Sequence, residues 1–223
     1  MNEDLHSFVH LLFIGIIALF PVVNPLGSAF IITPYFANLT KEQKRSAVGK
    51  ITFYAFCICA GALFAGHWIL RLFGLTIPVI QLAGGIMICK MGWEFLSSDG
   101  GHDSTTHHQD ETIDNYSYIQ DKLFYPITFP VTTGAGTLSV LFTLSAHSAG
   151  TNFKTYAIGT AAILTAVIFT CILIYIFYLN AKTIISHLGS KGEMIINRLS
   201  AFLIFCVGLQ IAISGIRSLL KGG

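Results

Sequence analysis

Residues Phe20 to Ser28 read FPVVNPLGS, and residues Phe129 to Thr137 read FPVTTGAGT. A shift of 109 positions lays Phe20 on Phe129, Pro21 on Pro130, Val22 on Val131, Gly27 on Gly136 and Ser28 on Thr137. Asn24 then falls on Thr133. Each stretch lies inside a long apolar run. Proline has no N–H and crowds the turn before it, so Pro21 and Pro130 are expected to end the half-helices that precede them. Asn is a strong N-cap and Pro suits the first helical position, so Asn24-Pro25 reads as a new helix start rather than a kink. Leu26 to Phe36 would be the second half-helix. Thr133, followed by Gly134-Ala135-Gly136, is expected to be the equivalent start.

The rest of the chain puts these breaks in lipid. Its 223 residues are 53% hydrophobic and only 11% charged, against roughly 25% charged in a soluble domain. A net charge of +2 argues nothing about nucleic acid, and with no basic stripe to neutralise phosphates no nucleic-acid partner is expected. The five cysteines, Cys57, Cys59, Cys89, Cys171 and Cys206, sit in apolar runs without a CxxC pair and read as packing residues. An acidic N-terminus with Glu3 and Asp4 does not suggest a cleaved signal peptide.

A spanning helix needs about 20 apolar residues. Six segments qualify, near residues 5–37, 48–70, 77–96, 123–147, 156–179 and 195–219. Between the third and fourth lies the polar stretch Ser97 to Asp121, too poor in apolar residues to pack and expected to be a loop. Loops one-two, three-four and five-six with their flanks hold nine Lys and Arg, against four on the other side. That bias puts the first group in the cytoplasm and both termini outside, in the periplasm.

The expected fold is therefore an all-α integral membrane protein with six transmembrane helices. Residues 1–96 form one repeat, 97–121 a polar cytoplasmic loop, and 122–223 a second repeat. Three spans is an odd number, so the second copy enters from the opposite face. The result is a 3+3 inverted repeat with helices 1 and 4 discontinuous. Re-entrant hairpins in place of those two spans are the alternative that hydropathy does not separate.

A broken helix in lipid survives where protein or a watery cavity meets the break. Each new start leaves up to four free N–H groups and about half a positive charge, which attract a carboxylate. The carbonyls near Leu19 to Val22 and Thr128 to Val131 suit an ammonium group or a cation. Together they fit a small zwitterion. The expected substrate-binding residues are Asn24, Pro25, Gly27 and Ser28 with Thr132, Thr133, Gly134, Gly136 and Thr137. The glycines let the ligand approach backbone, and the others supply neutral donors and acceptors.

FPVVNPLGSAF, FPVTTGAG and the third-span stretch LAGGIMICKMGWEFL (Leu82 to Leu96) together resemble the MarC family of bacterial inner-membrane proteins. The resemblance covers essentially the whole chain. It implies six spans in the inner membrane and, from some members, transport of small neutral amino acids. It also implies distant kinship with amino-acid exporters of the LysE type. Nothing carries over onto Ser97 to Asp121.

Other residues invite blander readings. Lys90 and Glu94 are four apart on one helix face and are expected to pair, for structure more than for ion coupling. Arg71 and Lys154 read as boundary anchors, and His67 and His147 as boundary histidines. Gln81 and Gln210 are expected to hydrogen-bond between helices. His102, His107, His108, Asp103 and Asp110 meet no metal-site spacing, so no metal is expected. Ala62 to Gly66 and Ala162 to Ala166 are small-xxx-small packing faces. No nucleotide-binding loop, HExxH or GxSxG is present, and Glu94 is the only acidic residue inside a predicted span.

The leading expectation is a secondary transporter, exporter or exchanger, of small neutral amino acids by alternating access. A proton or sodium ion would be the coupling partner, with no cofactor and no enzymatic activity, and the oligomeric state is left open. A passive channel for small solutes is the alternative, followed by a membrane-embedded enzyme and a regulatory protein acting through the polar loop.

Overall fold

The computed structural model describes residues 2–97, 115–148 and 153–221. His102, Asp103, His107, His108 and Asp110 lie outside them, as do the side chains of His67, Arg71 and His147. Every element among the described residues is helical. In order they are α1 (Asn2–Val23), α2 (Pro25–Ile32), a 3-10 turn (Thr33–Phe36), α3 (Lys41–Leu72), α4 (Ile77–Ser97), α5 (Asn115–Lys122), a π-helical segment (Leu123–Thr132), α6 (Ala135–Ser148) and α7 (Phe153–Lys221).

Among the described residues, four stretches are long and apolar enough to cross a membrane: Asp4–Ala29, Lys41–Gly66, Phe153–Ile184 and Ala201–Leu220. A fifth, Ile119–Thr132 with Gly136–Ser145, is bent by 67°. The third predicted span is helical as α4, Ile77–Ser97, and is not among these stretches. Local chemistry explains several ends. Thr40 and Gln43 form a reciprocal capping box at the start of α3 (Gln43 N–H to Thr40 Oγ1, 3.2 Å; Thr40 N–H to Gln43 Oε1, 3.0 Å). Gly74, with φ +63, takes the left-handed position just past its end.

α7 is helical over 69 residues, which in a straight rod would reach about 100 Å. The contacts show that its two halves run in opposite directions. α3 runs against the first half, with Lys44 on Leu179 and Cys59 beside Cys171. α3 runs with the chain through α5 to α6, from Lys50 on Gln120 to Leu63 on Ser145. α6 opposes α4, with Ser139 at Ile80 and Gly136 at Ile88. α4 opposes the second half of α7, with Cys89 at Gly208 and Leu82 at Gly215. The chain therefore turns back between the two apolar runs of α7. α1 runs with the first half, from the Asp4–Lys154 ion pair at 2.7 Å to the contact of Gly15 with Ala166.

α4 and the second half of α7 pack closely, and glycine makes this possible. A Cβ on Gly208 would sit 2.6 Å from Cys89 N, one on Gly92 2.6 Å from Phe205 N, and one on Gly215 2.7 Å from Leu82 N. Backbone here touches backbone, the way helices gain dispersion contact where lipid offers no hydrophobic drive. Ala62, Ala162 and Ala166 are likewise buried within the chain.

Two apolar clusters form the interior. One gathers Leu19, Val22, Leu63, Ile88, Leu141, Ile163 and Ile204. The other gathers Val23, Ile32, Ile51, Ile119, Ile127, Ile174 and Tyr178. The seam between them passes between Val22 and Val23, at the first break. Ile119 corrects the loop expectation for Ser97 to Asp121. Residues 115–121 are helical and Ile119, at 4% exposure, packs in the second cluster. One apolar side chain on a helical turn is enough to dock it, a local fact that a composition average over 25 residues conceals.

Candidate functional site

The two motifs meet at that seam. At the first, Asn24 adopts φ +43, and its Oδ1 accepts from the Gly27 N–H at 3.2 Å. This is the N-cap bond to the third helical residue, so α2 starts at Pro25 as the spacing predicts. Pro21 does not end the helix before it, because α1 continues to Val23. One proline removes one hydrogen bond, and the neighbouring turns carry on across it. The interruption is a single residue wide, since the Asn24 N–H reaches Phe20 O at 3.0 Å and the Ser28 N–H reaches Asn24 O at 2.9 Å. Asn24→Ala is expected to lower stability by about 1 kcal/mol through loss of the cap. Thermal unfolding in detergent measures it, and an unchanged melt would show that the cap bond contributes nothing.

The second motif is built differently. Thr133 is not the N-cap of α6. Its N–H and its hydroxyl both turn back to Thr128 O, at 2.8 and 3.0 Å, which closes the π-helical segment. The N-cap position falls one residue later, on Gly134. In the first motif Pro25 fixes the start by its ring, whereas Gly134 at the aligned position imposes nothing. Gly134 has no side chain to accept a hydrogen bond, so the first turn of α6 lacks the cap that Asn24 gives α2. The residues before Pro126 and Pro130, Tyr125 and Phe129, are extended, at φ −123, ψ 124 and φ −119, ψ 124. A residue before proline is steered there by clash with the ring.

All nine predicted binding residues lie in the interior. Ser28, Thr132, Thr133 and Thr137 are 0–3% exposed. Pro25, Gly27 and Gly136 are buried, and Asn24 and Gly134 half-buried. The motifs touch directly, because a Cβ on Gly136 would meet Val22 Cγ1 at 3.0 Å. They are also bridged by Tyr178, which the sequence reading passed over. Its hydroxyl lies 2.8 Å from Thr132 Oγ1, with Ser28 of the first motif nearby. A tyrosine inside an apolar run, whose phenol needs a partner once buried, is the signal the sequence offers.

Proton accounting gives this joint a direction. Ser28 Oγ donates to Asn24 O at 2.8 Å and Thr132 Oγ1 donates to Ile127 O at 2.8 Å. With the Thr132 proton already placed, Tyr178 donates its single proton to Thr132 Oγ1, in the second motif.

The expectation of open carbonyls holds only in part. Phe20 O and Thr128 O are taken. Pro21 O, four residues before Pro25, has no helical donor because proline supplies none. Thr137 Oγ1, in the first turn of α6, is buried and unpartnered among the described residues. The other predicted polar groups stand apart from the seam. Lys90 and Glu94 pair at 3.7 Å as expected, but with side chains 69% and 62% exposed. Gln81 is buried beside Gly215, while Gln210 faces outward.

Apolar helices around a buried polar seam define a polytopic α-helical membrane protein. The chain belongs to the MarC family: the model described as MarC family integral membrane protein matches residues 9–220. It is similar to UPF0056 membrane protein YvbG of Bacillus subtilis (strain 168), 27% identical over 204 residues that cover 91% of this chain and 92% of that protein. It is also similar to UPF0056 inner membrane protein MarC of Escherichia coli (strain K12), 24% identical over 217 residues, 93% of this chain and 95% of that one. No solved structure matches the chain significantly.

Proposed function

We propose that the chain is a secondary transporter of small neutral amino acids, working by alternating access in the bacterial inner membrane with both termini periplasmic. Six spans arranged as a 3+3 inverted repeat, with helices 1 and 4 discontinuous, are part of the same reading. The alternating directions of α1, α3, α4, α6 and the two halves of α7 support it. The observation that carries it is the seam. Two like motifs from opposite halves of the chain lie in contact around an uncapped helix start, with an unpartnered hydroxyl, Thr137, beside it.

A carboxylate at the first turn of α6 would take the free N–H groups and the Thr137 hydroxyl. The Pro21 carbonyl would accept from the ammonium. Small cargo follows from the packing, since Gly136 already abuts Val22 and Ile88. The near-zero exposure of the seam suits an occluded state, in which ligand enters when the two halves part. Tyr178 would serve as the joint, its single proton passing from one motif to the other as they separate.

The test is uptake of labelled glycine and alanine into liposomes carrying the purified protein. Saturable uptake stimulated by unlabelled amino acid inside is expected, with Tyr178→Phe lowering the rate about tenfold. Linear uptake without stimulation would favour the passive channel. No flux of any neutral amino acid would remove the cargo assignment, and full activity in Tyr178→Phe would remove the joint.

A further inference from the structure

We infer that the chain binds an anionic phospholipid in a groove between α3 and the first half of α7, with the headgroup phosphate held by Arg45 and Lys182. The groove has a volume of about 470 Å³, in the roughly 300–1,000 Å³ range of ligand-sized sites. Its walls are almost wholly apolar and include Phe53, Phe56, Ile168 and Ile172. Phe53 and Ile172 are 62% and 51% exposed, so the groove opens outward, to lipid. An acyl chain is the occupant its chemistry suits.

What separates this groove from any lipid-facing dent is the end of it. On α3 the lining positions Gly49, Thr52 and Phe56 continue one turn back to Arg45, on the same helix face. On α7 the lining positions Ile168, Cys171 and Tyr175 continue two turns on to Lys182. α3 and this part of α7 are antiparallel, so both cationic ends fall at one end of the groove. Lys44 fastens that end, its Nζ donating to Leu179 O at 2.9 Å, close to Lys182. Lys182 Nζ donates to Ala37 O at 3.4 Å.

No described carboxylate neutralises this cluster. The ion pairs among the described residues are Lys90 with Glu94 and Lys154 with Asp4. Glu42, one turn before Arg45, pairs with neither. Cations gathered at the mouth of an apolar groove at a span end match a phospholipid: chain inside, phosphate at the rim. The positive-charge bias puts this end at the cytoplasmic leaflet, where basic sites between helices take anionic headgroups.

The experiment is native mass spectrometry of the purified full chain in detergent, given phosphatidylglycerol and phosphatidylcholine with the same acyl chains. The wild type is expected to retain one phosphatidylglycerol with a preference on the order of tenfold. Arg45→Gln with Lys182→Gln should abolish the preference and leave phosphatidylcholine binding as it was. Gly49→Phe should weaken both lipids, and the fold has room for it, since a Cβ there meets nothing within 4 Å. Equal retention of the two lipids by the wild type would overturn the site. So would a preference that survives the double substitution, wild-type binding in Gly49→Phe, or full displacement by millimolar glycerol phosphate, which would make the ligand a free anion. None of these outcomes bears on the transport reading.

Discussion

Thr137→Val is expected to make the protein more stable and to stop it working. The Thr137 hydroxyl is 1% exposed and unpartnered among the described residues. A buried polar atom in that condition costs about 1–3 kcal/mol, and an isosteric apolar replacement recovers part of it. The melting temperature in detergent should therefore rise, by an amount equivalent to about 1 kcal/mol. If a substrate carboxylate is the missing partner, the same substitution removes a charge-assisted hydrogen bond of roughly 1.5–3 kcal/mol. Substrate affinity in the liposome assay should then fall about 10- to 100-fold. A variant that is stabilised and fully active would reduce Thr137 to a packing defect. A destabilised one would mean the hydroxyl has a partner in the resting protein. Thr160 provides the control, because its hydroxyl is also buried and unpartnered among the described residues but lies 18 residues before Tyr178 on the same helix, away from the seam. Thr160→Val should share the gain in stability and spare transport.

Gly208→Leu is expected to disrupt the packing of α4 against the second half of α7. A Cβ at this position would stand 2.6 Å from Cys89 N and 2.8 Å from Gly85 O. Both are backbone atoms, so no rotamer change can relieve the clash. α4 and the second half of α7 would have to separate along their whole contact, since Gly85, Gly92 and Gly215 are built to the same close spacing. Overpacking a tight core costs about 1–3 kcal/mol, and here the lost helix contact adds to it. The expected result is loss of a cooperative thermal transition or of monodisperse protein in detergent. Gly61→Leu on α3 is the matched control, since a Cβ there meets nothing within 4 Å and the melt should hardly move. Equal melting of the two variants would show that the glycine contact does not hold these helices together.

Much of this architecture is legible along the chain because it depends on local chemistry. Apolar run length and charge scarcity announce a helical membrane protein without reference to any contact. Asn24-Pro25 announces its own helix start, since an N-cap and a ring-locked first residue act within one turn. The repeat picks out nine residues that the fold leaves buried or half-buried. Where the outcome departs from the local rule, a non-local or competing interaction has won. Pro21 fails to stop α1 because the turns on either side keep their bonds. Thr133 gives up the cap because Thr128 O draws both of its donors backward, and the start slips to Gly134. Residues 115–121 become helical because Ile119 finds an apolar cluster to enter.

Three features belong to the folded chain alone. Tyr178 joins the motifs from 46 residues beyond Thr132, a distance at which no spacing rule operates. The glycines of α4 and α7 acquire meaning only when the two helices are laid side by side. The proposed basic rim of the α3–α7 groove would assemble from Arg45 and Lys182, which are unrelated until α3 and α7 run antiparallel. Helix formation and burial in lipid are set by short-range propensity and by composition, and those can be read residue by residue. The partners of a buried hydroxyl, and the approach of two backbones, depend on where distant segments come to rest.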